Sequence, residues 1–214
     1  MAEQKSALRT VDIKSALRIL EDDDGVEVIS NMGPGHTATA KSPAWASFTI
    51  SSVARDLNEW TEHCSGLVKV EVSAPTTQNN WSDPDEDARF PDVRSWYNQF
   101  AAIGIGYGPV FQPLSDMQAD PDQNVALANV ALDTAANTIP WGESSYPLHP
   151  AALDATFQLG LIACYGGQVE RASTAFVPVR LSQLYLKNGI DRDSCTTIAR
   201  GKQVGQSAAI QSFQ

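Results

Sequence analysis

The residues in this chain best suited to chemistry lie in two short segments of its second half. In LHPAALDATFQL, Asp154 and Gln158 are four apart, which stacks them on one face of a helix. Leu153, Phe157 and Leu161 occupy a neighbouring face and supply an anchor to a core. A carboxyl among apolar neighbours has two readings. Exposed near a helix start, it is a favourable charge. Buried, it needs a partner such as the Gln158 amide. It then holds its proton to higher pH than an ordinary carboxyl, as a general acid must. His149 and Pro150 precede the helix. Proline suits a first helical turn, where its missing N–H does no harm, and a histidine there caps or packs. Asp154 and His149, five apart across a helix boundary, are not brought face to face by spacing alone.

The second segment is Gly106-Tyr107-Gly108-Pro109-Val110-Phe111. Glycines on either side of Tyr107 permit close backbone approach and unusual dihedrals, so the hydroxyl could face a substrate oxygen. Tyr-Gly-Pro is equally an ordinary turn. His36 lies in a Gly/Pro-rich stretch and His63 near an expected helix end, and neither has a context that marks it as a base. No HExxH, CxxC, GxSxG or phosphate-loop pattern occurs, so metal, nucleophilic-serine and nucleotide chemistry find no support, and no cofactor is expected.

The elements that must hold these residues fall into two ordered regions separated by 75–92, PTTQNNWSDPDEDARFPD, which reads as a linker or long surface loop. In the first region, Val26–Ile29 gives a strand signal after the Asp-rich turn at 22–25, and Asn31–Pro43 reads as a hairpin connection. Ala46, Phe48 and Ile50 alternate with Ser47, Thr49 and Ser51, the period of a half-buried strand. Val53, Leu57, Trp60 and Cys64 recur at helical spacing, with Gly66 as a stop, and 67–72 alternates again. In the second region, Asp92 can cap a helix with Val93, Trp96 and Phe100 on its apolar face. Residues 125–132 read as a buried strand, 151–164 as a helix ended by Gly166-Gly167, and 177–186 and 195–199 as strands. The final SAAIQSFQ offers no convincing closing strand.

Composition sets outer limits. The chain has 214 residues, 43% hydrophobic and 19% charged, a globular balance. Its net charge of -10, with no basic stripe, opposes nucleic-acid binding. No apolar run approaches the ~18–20 residues a membrane helix needs, and the N-terminus has no signal-peptide core, so a cytoplasmic location is expected. Cys64, Cys164 and Cys195 are too sparse for a disulfide framework or a metal site. A local basic spot for an acidic partner would draw on Arg171, Arg180, Lys187 and Arg192.

Taken together, GYGPVFQPL and LHPAALDATFQL resemble the YGPxF and HPxxLDAxxQ signatures of polyketide synthase dehydratase domains, in the same order and spacing. LRTVDIKSALRILEDDDGVEVI, WASFTISS, WTEHCSGLVKVEV and AFVPVRLSQLYL continue the similarity to fungal highly reducing synthases over most of 8–190. The resemblance implies an α+β double hotdog, two antiparallel sheets each wrapped around a helix. The expected arrangement is an incomplete first hotdog over 1–75, a linker over 76–91 and a second hotdog over 92–214. It implies loss of water from a β-hydroxyacyl chain on an acyl carrier protein, giving an α,β-unsaturated thioester in secondary-metabolite synthesis. Asp154 matches the family's acid, Gln158 the residue that holds it, Tyr107 a pocket tyrosine, Gly108 and Pro109 its turn, and His149 and Pro150 the helix entrance. The family's base is a histidine in HxxxGxxxxP. Here His36 is followed at those positions by Ala40 and Trp45, and His63 by Leu67 and Val72. The chain is therefore expected to start after that motif and stop early, as a fragment or degenerate relative with little activity alone. A non-catalytic acyl- or carrier-binding module and a product-template cyclase-type domain are the alternatives. Partners would be the carrier-bound acyl chain and other synthase domains, and an exposed sheet favours homodimers.

Overall fold

The computed structural model describes residues 5–19, 25–34, 45–54, 59–71, 90–132, 144, 146, 148–187, 194–204 and 207–213. The chain divides into two compact units: Met1–Thr76 with Val177–Asn188, and Thr77–Phe176 with Gly189–Gln214.

The first unit is a five-stranded antiparallel sheet. Its strands are β1 (Lys5–Ile13), β2 (Glu27–Pro34), β3 (Ala46–Ala54), β4 (Glu59–Glu71) and β7 (Arg180–Lys187), in the order β2-β3-β4-β1-β7. β3 follows the expected alternation. β2 runs on through Asn31–Pro34, which the sequence placed in a connection; the rest of that connection lies outside the described residues. The expected helix through Val53, Trp60 and Cys64 does not form, and Gly66 lies inside β4. These residues meet across a hairpin instead: Val53 stands opposite Trp60, and Ile50 opposite Cys64. Their helical spacing is thus the sum of a strand end, a connection and a second strand. A side-chain carbon on Gly66 would come within 2.9 Å of Val11 and 3.0 Å of the Phe48 ring, so glycine is what lets both lie over β4. β1 carries a bulge, with Thr10 at φ 50° between Arg9 and Asp12.

The second unit is a four-stranded antiparallel sheet, order β5-β6-β8-β9, made of β5 (Leu114–Asp120), β6 (Val125–Ala131), β8 (Ser194–Val204) and β9 (Ser207–Phe213). β9 forms where the sequence offered no convincing strand, pairing with β8 from Val204↔Ser207 to Ile198↔Phe213. Its Ser and Ala residues carry little β propensity; what it supplies is backbone pairing and, among the described side chains, Ile210 packed against the core.

Two helices complete this unit. α1 (Val93–Ala102) is capped by Asp92, whose carboxylate accepts from the N–H groups of Arg94 (3.3 Å) and Ser95 (3.0 Å). Its Trp96, Tyr97 and Phe100 are buried. α2 (Pro150–Cys164) packs on all four strands and is buried on most of its circumference. Glycines allow this close seat. A side-chain carbon on Gly160 would fall within the Ile210 side chain, and one on Gly201 would come within 2.6 Å of the Gly160 carbonyl. After α2 the chain turns at Gly166 (φ 59°) and Gly167 (φ 70°), whose N–H groups return to Ala163 and Ile162, as the paired glycines predicted. The expected linker at 76–91 lies almost wholly outside the described residues.

Candidate active site

The middle of α2, the middle of α1 and the loop before β5 bring one polar network into the apolar interior of the second unit. Gln158 is its centre and is fully buried, at 0% exposure. Its Nε2 donates to Asp154 Oδ2 at 2.8 Å and to the Phe111 carbonyl at 3.0 Å. Its Oε1 accepts from the Tyr97 hydroxyl at 3.0 Å, and the Leu114 N–H points at the same phenolic oxygen at 3.5 Å. The stacking of Asp154 and Gln158 one turn apart is thus realised as a direct hydrogen bond. Every polar atom of the Gln158 side chain is used, which is what burial of a primary amide requires.

Asp154 is half-buried. Desolvation raises its carboxyl above the ordinary range, and the hydrogen bond from Gln158 opposes that rise without cancelling it. Of the two readings the sequence left open, the partly buried carboxyl with an amide partner is the one realised. The titratable groups facing it are phenols. Burial, and then the charge of Asp154, raise Tyr107; burial first and Asp154 last push Tyr97 up to about 12, with the Leu114 N–H opposing. Both stay neutral donors across the physiological range.

Tyr107 is half-buried, its ring edge-on to Phe100 (centroids 5.5 Å) and Tyr97 (6.1 Å). The glycines beside it do not serve close approach. Gly108 is extended (φ -71°, ψ 166°), and a side-chain carbon on Gly106 or Gly108 would meet nothing within 4 Å. The segment is the ordinary turn: Gly108 precedes a short 3-10 turn at Pro109–Phe111, closed by the Phe111 N–H on the Gly108 carbonyl at 2.9 Å. Its contribution to the network is the Phe111 carbonyl at its end.

His149 is the cap of α2. Its Nδ1 accepts from the Ala151 N–H at 3.1 Å, and Pro150 takes the first helical position. The ring stands edge-on to Tyr146, with centroids 5.7 Å apart. In the first unit, His63 has both ring nitrogens engaged, Nε2 with Ser52 Oγ at 2.7 Å and Nδ1 with the Ser15 carbonyl at 3.1 Å. His36 lies outside the described residues. Among the basic residues, Arg180 pairs with Asp12 at 2.9 Å, Arg171 ends an exposed 3-10 turn, and Arg192 lies outside the described residues.

Sequence reasoning missed Tyr97. It sits beside Trp96 and three before Phe100 on the buried stripe of α1, and a tyrosine on such a face needs a partner for its hydroxyl; that signal was available. The Phe111 carbonyl, a backbone group, left none. The three cysteines are free, and among the described residues no cluster of His, Cys, Asp and Glu could hold a metal. Nor, among them, is any helix long and apolar enough to cross a membrane.

Comparison with known proteins assigns the class. The dehydratase domain of RzxB from Pseudomonas fluorescens superposes with a TM-score of 0.70 at 20% identity, over 97% of this chain and 70% of that one. The dehydratase domain from the CurK module of curacin polyketide synthase gives 0.66 at 23% identity, over 100% and 71%. The fold is therefore the α+β hotdog architecture of dehydratases. Residues 75–212 match the family described as polyketide synthase dehydratase N-terminal domain, and the chain belongs to that family. It is 49% identical to prosolanapyrone synthase of Alternaria solani over 94% of its length, and 46% identical to the highly reducing polyketide synthase xilA of Penicillium crustosum over 97%. The chain spans 8% of each of these relatives.

Proposed function

We propose that this chain is a dehydratase segment of a fungal highly reducing polyketide synthase, with Asp154 as the proton donor. The substrate is a β-hydroxyacyl thioester on an acyl carrier protein in the cytoplasm. A base removes the α-proton, the electron pair forms the α,β double bond, and the β-hydroxyl leaves as water with the proton from Asp154. What carries this reading is the half-buried Asp154 carboxyl, raised by desolvation and held by Gln158 at 2.8 Å. Tyr107, with Gly108 and Pro109, would line the acyl site, and His149 and Pro150 would set the helix entrance. The matched family is described by its N-terminal domain, yet we assign 92–176 and 189–214 to the second hotdog, because the helix with the acid lies there, and leave 177–188 with the first, whose sheet it joins.

None of the three histidines lies in an HxxxGxxxxP motif, and the ring nitrogens of His63 are both occupied. We therefore expect the chain alone to turn over poorly, since one general acid or base contributes about 10²–10⁴-fold. The test is mass detection of enoyl product from a β-hydroxyacyl thioester, with and without a polypeptide carrying the missing histidine motif. Product only in the combined sample, abolished by Asp154→Asn, is the expected result. Acyl-carrier binding without product in either sample would favour a non-catalytic binding module. Product from the Asp154→Asn chain would end the proposal.

A further inference from the structure

The polar network around Gln158 has a direction, and its origin lies outside the residues so far given a role. Gln158 can be placed in two ways, differing by exchange of its amide nitrogen and oxygen. Phe111 decides between them, because a backbone carbonyl only accepts and so must face Nε2, at 3.0 Å. Oε1 is then turned to Tyr97, 3.0 Å away, and the phenol must donate. At the other end, the Leu114 N–H only donates, and it points at the phenolic oxygen from 3.5 Å. The order is therefore Leu114 N–H to Tyr97, Tyr97 O–H to Gln158, and Gln158 N–H to Asp154 Oδ2 at 2.8 Å. Neither backbone end can reverse its role.

We propose that Tyr97 is a positioning residue of this site: acting through Gln158, it fixes the amide as a donor to Asp154 Oδ2 and so leaves Oδ1 to carry the exchangeable proton. This rests on the reading of Asp154 as the acid. Without the phenolic hydroxyl, Oε1 is buried with no donor. The amide then swings away, or turns Oε1 toward a protonated Asp154. Either change weakens the N–H donation that favours the carboxylate, so Asp154 keeps its proton to higher pH. Tyr97 is 8% exposed, so water is a poor substitute. The facing titratable groups are Tyr97 from α1 and Tyr107 from the loop before β5, both neutral where Asp154 titrates.

The test uses the full chain with carbon-13 in its Asp carboxyls, titrated by NMR with Asp154→Asn to assign the resonance. In Tyr97→Phe, which keeps the ring contacts, the Asp154 midpoint should move up, and the Gln158 side-chain amide protons should exchange about tenfold faster. Tyr165→Phe is the control: its hydroxyl donates to the Thr174 carbonyl at 2.7 Å, and its loss should leave the Asp154 midpoint in place. Should Tyr97→Phe not fold, 3-fluorotyrosine at position 97 keeps the hydroxyl as a stronger donor and should move the midpoint down. An unmoved midpoint in either Tyr97 variant, or equal shifts in Tyr97→Phe and Tyr165→Phe, would overturn the proposal. The readout needs no turnover, so failure of the dehydratase reading and failure of this one are seen separately.

Discussion

Replacing Gln158 by leucine tests whether the buried network also holds the fold together. Leucine has nearly the same volume, so the cavity left is small, and Gln158 is wholly enclosed, so water does not follow the change. Three hydrogen bonds disappear. The Phe111 residue is 39% exposed, and its carbonyl can turn to solvent at little cost. The Tyr97 hydroxyl cannot, and a buried donor without an acceptor costs about 1–3 kcal/mol. Asp154 loses its amide partner, a further cost of about 1 kcal/mol. A saving of about 1 kcal/mol comes from no longer burying an amide. The net loss is about 2 kcal/mol, a fall of roughly 4–8 °C in the melting temperature. The informative comparison is the pair Gln158→Leu and Tyr97→Phe. Removing both partners leaves an apolar contact in place of an orphaned hydroxyl, so the double variant should be more stable than the sum of the singles by about 1 kcal/mol or more. Urea denaturation of the four chains measures this. Strict additivity, or a Gln158→Leu chain as stable as the parent, would refute the reasoning.

Three further outcomes are expected. The raised carboxyl of Asp154 means that the folded chain binds this proton more tightly than the unfolded one. Stability from this group is therefore highest below its unfolded value and falls as pH rises toward the raised folded value. Asp154→Asn removes that loss, so its stability relative to the parent should climb across the same window in urea titrations at successive pH values. Gly160→Ala drives a methyl into Ile210 and should cost about 1–3 kcal/mol, largely recovered when Ile210→Ala is added, as read by thermal melts. Gly106→Ala and Gly108→Ala meet open space at ordinary dihedrals, and should change the melting temperature by no more than a degree or two.

The helices were legible because each carried several agreeing signals. Asp92 before Val93, Trp96 and Phe100, and Pro150 with the Gly166-Gly167 stop, are local features that need no knowledge of distant partners. The contact of Asp154 with Gln158 followed from helical spacing alone. The failures involve partners remote in sequence. Val53 and Trp60 seemed helical because a hairpin places them opposite each other at a separation that mimics two turns. β9 is a strand because β8 lies beside it, a fact its own Ser and Ala residues do not carry. The glycines around Tyr107 suggested dihedral freedom that the turn does not use.

The pairing of β1 with β7 has a consequence for how the chain can be handled and how it matures. Lys5–Ile13 is hydrogen-bonded on one side to Glu59–Glu71 and on the other to Arg180–Lys187, more than 160 positions later. During synthesis the earlier strands would wait, with one backbone rim bare, until the last quarter of the chain left the ribosome. Closing so long a loop is slow, and a bare strand rim recruits other chains meanwhile. Any shortened version ending before Arg180 would leave Lys5–Ile13 itself as the sheet edge, the position that Arg180–Lys187 holds in the folded unit, so expression work on this protein should keep the distant strand.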